Sequence, residues 1–439
     1  MSFRAELIGK IDLFDLHRHD PKRYPFLLQS VAGHPQSGRY DILFAEPEAA
    51  ITASSGINFF DELSRKIDSE NLELTTDIPF CGGWFLLLGY EAARFIEPSL
   101  KLPDSPYQLP DALAVRCKAT VIYDREQQVC ILLAEDSQQQ LNQLRSDCGI
   151  YINNVVQDIE YIIIKSVNEE AEGRFIEGIL RIHEYLKSGD AFQINLSRKW
   201  QAELAEGVDY QSVYSMLRKR NPAPFAGLAL WNSIAVLSSS PERLIRTENG
   251  WAETRPIAGT RPRSSELEQD QNLLAGLKGN LKERAEHVML IDLERNDLGR
   301  VCEPGSVVVS ELMTTESYAH VHHIVSNIRG MLKPGINAAA ALRAVFPGGT
   351  ITGCPKVRAM EIIAELEREG RGPYTGAMGY ISRCGRMDTN ILIRTLVCEN
   401  QKVSFRAGAG IVADSQSESE LAETRAKARG LLLALGAIV

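Results

Sequence analysis

The chain has 439 residues, 44% of them hydrophobic and 24% charged, with a formal net charge of -9. That balance belongs to a globular protein long enough for one large or two to three ordinary domains. It excludes a nucleic-acid footprint, because no Lys/Arg run is long enough, and a helical membrane span, because no stretch reaches roughly 18 apolar residues. The opening Met1-Ser-Phe-Arg-Ala-Glu-Leu7 has no apolar core of a secretory signal. The eight cysteines (Cys81, Cys117, Cys130, Cys148, Cys302, Cys354, Cys384, Cys398) are scattered without a C-x-x-C pair. Both features predict a cytoplasmic protein with reduced thiols.

Residues 1 to about 165 read as strands mixed with a few helices. Tyr40 to Ala45 alternates loosely and predicts a strand. Gly82 to Tyr90, apolar between glycines, predicts a buried strand leading into a helix at Glu91 to Phe95. Val115–Tyr123 and Gln128–Ala134 predict a hairpin around Asp124. Ser137 to Leu144 reads as a polar, solvated helix, and Asn168 to Gly173 as a charged linker. Beyond it, Phe175, Ile179, Ile182 and Leu186 recur at helical spacing, and Ser188-Gly-Asp ends that helix.

Several constellations in the second part point to chemistry. Glu242 follows the apolar strand Leu228 to Leu237, at the kind of strand end where catalytic acids sit; a turn or cap is the plain alternative. Glu283 and Glu286 share one helix face, as do Glu420 and Glu423, with Lys427 continuing the second face. If the faces meet, four carboxylates offer Mg²⁺ the oxygen ligands it prefers; for either pair alone the alternative is a solvated, salt-bridged surface. On a strand, His320 and His322 face one way and His323 the other, beside Val321 and Val325. A His-only zinc site lacks a third ligand at sensible spacing. From Phe346 to Glu361 a Gly/Thr-rich turn feeds a helix expected from Pro355 to Arg368. Such a turn is an anion cradle, to which Thr350 and Thr352 add hydroxyl donors, or an ordinary turn before an amphipathic helix. No Gly-Lys-Ser/Thr closes it into a phosphate loop. Arg394, among apolar strand residues, needs an anionic partner or an edge position. Gly408-Ala409-Gly410 lets a ligand approach the backbone closely.

Five stretches resemble, in order, the chorismate-utilising enzymes: the large subunits of anthranilate synthase and aminodeoxychorismate synthase, and the isochorismate and salicylate synthases. They are Thr254-Arg-Pro-Ile-Ala-Gly-Thr-Arg-Pro-Arg263, Asp292-Leu-Glu-Arg-Asn-Asp-Leu-Gly-Arg300, Gly348 to Met360, Asp388 to Arg394, and Ala407 to Val412. The resemblance is strong over about residues 170–435 and weaker before. It implies an α+β fold: one intertwined unit of two large, mostly antiparallel sheets flanked by helices, with the site between them. Residues 1–165 would form the N-terminal region and residues 166–439 the chorismate-binding catalytic region.

The resemblance also implies roles. Gln193 stands where water-using members carry a Lys base, and a neutral amide cannot deprotonate water, so ammonia is the expected nucleophile. Arg39 to Pro47 and Glu361 to Glu367 are similar to the aminodeoxychorismate type. Ala258, where some of those enzymes have a nucleophilic Lys, is what the anthranilate type carries. Glu286 and Glu423, with Glu283 and Glu420 close by, would hold Mg²⁺. Glu242 would protonate the departing hydroxyl, and His323 would orient and polarise near the ring. Gly259, Thr260, Thr350, Tyr380, Arg394, Gly408, Ala409, Gly410 and Lys427 would bind substrate. Without a Gly-x-Cys-x-Gly nucleophile motif in this chain, ammonia would come from a separate glutamine amidotransferase subunit. Pro25 to Ser30 and Asn221 to Gly227, through Ser30, Pro224 and Phe225, resemble the halves of a tryptophan pocket, although Gln29 stands where tryptophan-binding relatives usually have Glu; core packing is the alternative. A non-catalytic chorismate-binding homologue is the third reading, after the aminodeoxychorismate and anthranilate types.

Overall fold

Apolar runs bounded by glycine and Asn/Asp turns carry much of this chain into strands. The computed structural model describes residues 3–31, 38–53, 58–72, 76–154, 159, 161–264, 266–317 and 321–437. Its strands begin with β1 (Phe3–Ile8), β2 (Phe26–Gln29), β3 (Tyr40–Thr52), β4 (Gly83–Leu88), β5 (Ala112–Asp124) and β6 (Val129–Ala134). Next come β7 (Ile164–Glu169), β8 (Gln193–Leu204), β9 (Phe225–Trp231), β10 (Ile234–Ser240), β11 (Arg243–Glu248), β12 (Trp251–Thr254) and β13 (Ile257–Pro262). The last are β14 (Val308–Ser317), β15 (Val321–Met331), β16 (Gly353–Cys354), β17 (Ala377–Ser382), β18 (Met387–Ile391), β19 (Thr395–Glu399) and β20 (Lys402–Ile411). The helices are α1 (Leu13–His19), α2 (Phe59–Glu70), α3 (Gln138–Tyr151), α4 (Glu172–Ser188) and α5 (Tyr210–Arg220), then α6 (Leu267–Gly279), α7 (Leu281–Gly299), α8 (Ala338–Val345), α9 (Lys356–Glu367) and α10 (Ser417–Ala434).

The strands form two antiparallel arms that meet at β5. One arm runs from β5 through β3, β2, β9, β10, β19 and β20 to β8, which ends against β7 and β16. The other runs from β5 through β4, β17, β18, β11 and β12 to β15, which also pairs β13 and β14. β1 and β6 close the free side of β5. Strands from the first 165 residues thus pair with strands from the rest, β2 with β9 and β4 with β17, so the two regions share one ladder.

Helices cover the outer faces. Phe14, Leu144, Tyr214 and Leu431 pack with Trp200 and Phe405 beneath the first arm. Phe60, Leu63, Leu298 and Leu342 pack with Leu86 and Ile328 beneath the second. The arms touch where the rings of Phe26 and Phe85 stack, centroids 4.1 Å apart. Two expectations change. The helix begun at Ser137 is not simply solvated, because Leu141, Leu144 and Cys148 are buried. The 168–173 stretch is not a linker, since β7 runs to Glu169 and α4 starts at Glu172. Helix α4 ends as expected, at a left-handed Gly189.

A buried charge knot fixes α9 against β8 and β20. Glu367 accepts from Arg371 (2.7 and 3.0 Å), Arg406 (3.1 Å) and the Ser197 N–H and hydroxyl (2.9 and 2.8 Å). Burial would push the Glu367 carboxyl up, but the two guanidiniums overcome it and hold its pKa below the usual value. Glu367→Gln leaves buried cations undercompensated and is expected to cost about 3 kcal/mol, read by chemical denaturation at pH 7. Because this pKa is depressed on folding, the stabilisation is present above the ordinary carboxylate value and fades as pH falls through the folded one, so the gap between variant and parent should shrink in acid.

Candidate active site

The site is built where the second arm faces the turn before α9. After β10, the Ser240 hydroxyl accepts from the Glu242 N–H (3.2 Å) and donates to the Ile391 carbonyl (2.6 Å), while the Ile391 N–H donates to the Glu242 carbonyl (3.0 Å). This pins the backbone and leaves the Glu242 side chain buried. Burial raises its pKa to about 7, against the opposing pull of Thr350, the Ile257 N–H, Lys427 and Arg394. Thr350 is near enough to pull that pKa down, yet among the described residues neither Thr350 Oγ1 nor Glu242 Oε1 completes a hydrogen bond, and both atoms are buried. Two buried polar atoms left open side by side are what a ligand's hydroxyl would satisfy.

Arg394 faces the same space. It lies not in a strand but in the break between β18 and β19, with a left-handed φ of 51°. A non-glycine residue held there is strained, and the Ser239 N–H to Arg394 carbonyl bond (3.1 Å) helps hold it. Among the described residues its guanidinium has no carboxylate within 4 Å, so the expected anionic partner is not supplied by those residues. Burial lowers its pKa and nearby Glu242 raises it. His323, on β15 opposite Thr260 of β13, is buried and neutral, with its pKa pushed down to about 3 by burial and then by Arg394. His322, on the opposite face, is occupied by Asp270 (3.0 Å) and Ser317 (2.7 Å). His320 and the Thr260 side chain lie outside the described parts.

Next to His323, β13 is irregular between Ala258 and Thr260. Gly259 makes the irregularity at φ 68°, and a Cβ there would come 2.4 Å from Glu283 Oε2, so only glycine lets that carboxylate lie on the strand. Buried Ala258 pairs with Ile324. Across the site, Gln193 Nε2 donates to Glu286 Oε1 (2.9 Å), and Gly410 makes room for that amide, since a Cβ would meet it at 2.3 Å. Gly408 likewise admits the Tyr374 hydroxyl, 2.9 Å from where its Cβ would be. Its carbonyl accepts from Lys427 Nζ (3.0 Å). The structure thus gathers Glu242, Thr350, Arg394, His323 and Gly259 on one side and Gln193, Glu286, Gly408 and Gly410 on the other, with Lys427 between them and Ala258 and Ala409 in the strands beside them.

The carboxylates are not gathered as a cage: among the described residues no group of three or more His, Cys, Asp or Glu side chains could hold a metal. Glu283 pairs with Arg261 (2.6 Å) and Glu423 with Lys427 (2.7 Å), while Glu420 is buried. The residues nevertheless fit a hard cation that keeps water and substrate oxygens in its shell. Among the described residues Glu283 Oε2 is buried without a hydrogen-bond partner, Glu286 stands one turn on, and the donors are oxygens throughout.

Three placements differ from expectation. Tyr380 is not with Glu242; it stacks edge-on against Phe80 and lines a separate cavity of about 460 Å³. Tyr374, flanked by Gly372 and Gly376, is the tyrosine whose hydroxyl reaches the Gly408 strand, and sequence reasoning missed it. The Thr352 hydroxyl is spent on the Gly348 carbonyl (2.9 Å), leaving Thr350 as the donor of that turn. The separate cavity is lined by Ser30, Pro224 and Phe225, and none of Glu242, His323, Arg394 or Gln193 borders it.

The family described as chorismate binding enzyme matches residues 24–433. The chain is 37% identical to aminodeoxychorismate synthase component 1 of Escherichia coli over 417 residues, 91% of this chain and 90% of that one. It is 36% identical to anthranilate synthase component 1 of Synechocystis over 469 residues, 94% of this chain and 91% of that one. Among solved structures, anthranilate synthase component I from Streptococcus pneumoniae superposes with a TM-score of 0.81 at 32% identity, covering 91% of this chain and 93% of that one. The menaquinone-specific isochorismate synthase of Escherichia coli, 18% identical, shares the fold with a TM-score of 0.77, covering 99% of this chain and 95% of that one. The architecture is the α+β fold of anthranilate synthase component I.

Proposed function

The chain belongs to the chorismate-binding enzyme family, and on that premise we propose that it is the large subunit of an aminodeoxychorismate synthase, converting chorismate and ammonia to 4-amino-4-deoxychorismate on the way to 4-aminobenzoate and folate. The observation that carries an amination of chorismate is the buried Glu242, its pKa raised to about 7, set near Arg394, which has no carboxylate partner among the described residues. Arg394 binds a substrate carboxylate. Glu242 gives its proton to the hydroxyl leaving C4, which departs as water while ammonia bonds to C2 and the ring double bonds shift. The ammonium so formed returns one proton, and the product is 2-amino-2-deoxyisochorismate. Gln193 cannot activate water, which favours ammonia, and Ala258 offers no nucleophile of its own, so ammonia itself must attack. A second ammonia then bonds to C4 while the double bonds shift back and the C2 amine, protonated, leaves as ammonia, which gives 4-amino-4-deoxychorismate. Loss of pyruvate instead would give anthranilate, the alternative that Ala258 favours.

Glu286 and Glu283, with Glu423 and Glu420 from α10, would hold Mg²⁺, which when bound supplies charge to the ring carboxylate. Neutral His323 donates or accepts one hydrogen bond at the ring without adding charge. The relatives' name, component 1, presupposes a further component, and here we assign it as a glutamine amidotransferase that supplies ammonia. In the separate cavity, Ser30, Pro224 and Phe225 offer a tryptophan site. A cytoplasmic location accords with the absence, among described residues, of any helix long and apolar enough to cross a membrane.

Two outcomes test the reading together. The isolated chain with chorismate and Mg²⁺ is expected to turn over with ammonium salts and not with glutamine. Its product should give 4-aminobenzoate only after aminodeoxychorismate lyase is added, as chromatography would show. Anthranilate as the main product, formed without lyase, overturns the assignment in favour of the anthranilate type. Glutamine-dependent turnover by the single chain would overturn the need for a partner.

A further inference from the structure

Outside the active site, one serine hydroxyl touches two thiols. Ser382 Oγ lies 3.2 Å from Cys81 Sγ and 3.3 Å from Cys384 Sγ, and the same hydroxyl accepts from the Cys81 N–H (3.0 Å). The two cysteines are some three hundred residues apart in sequence. Cys81 precedes β4, and Cys384 sits in the turn between β17 and β18. Pairing of β4 with β17 brings them together, and the Arg383 N–H to Gly82 carbonyl bond (2.9 Å) locks the approach. Cys81 is buried, whereas Cys384 is partly exposed.

We propose that Cys384 and Cys81 form a thiol site that reacts with low-molecular-weight disulfides of the glutathione type and closes to an intrachain disulfide. Cys384, the accessible thiol, attacks as thiolate on one sulfur of the small disulfide. An S–S bond forms to Cys384, and the other half leaves as a thiolate that takes up a proton. Cys81 then gives up its proton and attacks the Cys384 sulfur, displacing the second half as a thiol. Two protein thiols are oxidised and one small disulfide is reduced to two thiols, so atoms and electrons balance. The chemistry of the pair suits these roles. The neighbouring thiols shift each other, Cys384 down to about 6 and Cys81 up, and the Ser382 hydroxyl that both touch and Arg386 add to the lowering at Cys384. The attacking sulfur is thus the exposed one and the resolving sulfur the buried one.

The bond would join two walls of the separate cavity. Asp77 and Pro79, on the segment leading to Cys81, line one wall, and Tyr380, Arg386, Met387 and Asp388, flanking Cys384, line another. At present they are tied by hydrogen bonds such as Arg386 Nη1 to the Ile78 carbonyl (2.6 Å). A disulfide would make that tie covalent and couple the cavity to the redox state of its surroundings.

The test is to incubate the native chain with oxidised glutathione, block free thiols, and map peptides by mass spectrometry without reduction. The expected result is a Cys81–Cys384 crosslinked peptide, two hydrogens lighter than its parts, that dithiothreitol dissolves. Cys81→Ser should stop at a glutathione adduct on Cys384, and Cys384→Ser should give neither product. Full alkylation of both cysteines in the treated native chain overturns the proposal, as does a glutathione adduct confined to Cys354, the other partly exposed thiol.

Discussion

Glu242→Gln is expected to cut turnover of chorismate with ammonium by roughly a thousandfold, because an amide has no proton to give the departing hydroxyl. The swap keeps volume and hydrogen-bonding capacity, so binding of chorismate should change little. The pH profile carries the sharper test. Burial holds the Glu242 proton up to about pH 7, so the parent should lose rate as pH rises through that value. The variant's residual rate should lack that alkaline limb. Stability runs the other way. The folded pKa is raised, so ionising Glu242 penalises the folded state increasingly as pH climbs from the ordinary carboxylate value to about 7, and fully above it. Glu242→Gln escapes the penalty and should melt no lower than the parent at pH 8. A variant that keeps both its rate and the alkaline limb would remove Glu242 from the mechanism.

Glu286→Gln and Glu423→Gln are each expected to lower turnover at least about a hundredfold and to raise the Mg²⁺ concentration needed for half-maximal rate. The new amide at 286 can still accept from Gln193 Nε2, so what is lost is charge and not packing. At 423 the change removes the carboxylate charge beside Lys427, whose other bond, to the Gly408 carbonyl, remains. Circular dichroism and melting should match the parent in both cases. Undiminished activity with an unchanged Mg²⁺ requirement in both variants would move the metal elsewhere.

How far the sequence could be read depended on the range of the interaction. Local signals carried well. The 3.6-residue spacing of Phe175, Ile179 and Ile182 marked α4, and Pro355 marked the start of α9, although as the residue before the first turn. Glu242 was legible because it follows a strand end, and Gly408 and Gly410 because glycine in a strand means close approach. What failed was orientation across the chain. Tyr374 and Tyr380 lie only six residues apart, but Tyr374 precedes β17 and reaches the Gly408 strand, whereas Tyr380, inside β17 opposite Phe85, packs on Phe80. Thr350 and Thr352 look equivalent in sequence, but the tight turn folds the second onto Gly348. Arg394 read as a strand residue, because nothing local signals a left-handed arginine. The meeting of both arms at β5 is likewise written only in pairings between distant segments.

That meeting has a consequence for how the chain is made. The run Gly83–Leu88 is apolar and wholly buried, and one of its two partners, Ala377–Ser382, is synthesised almost three hundred residues after it. Until then one edge of β4 is bare, uncharged and able to pair with another nascent chain. Contacts of such separation close late and slowly. Synthesis therefore passes through a long interval in which that bare edge is open to pairing with the same edge of a neighbouring chain.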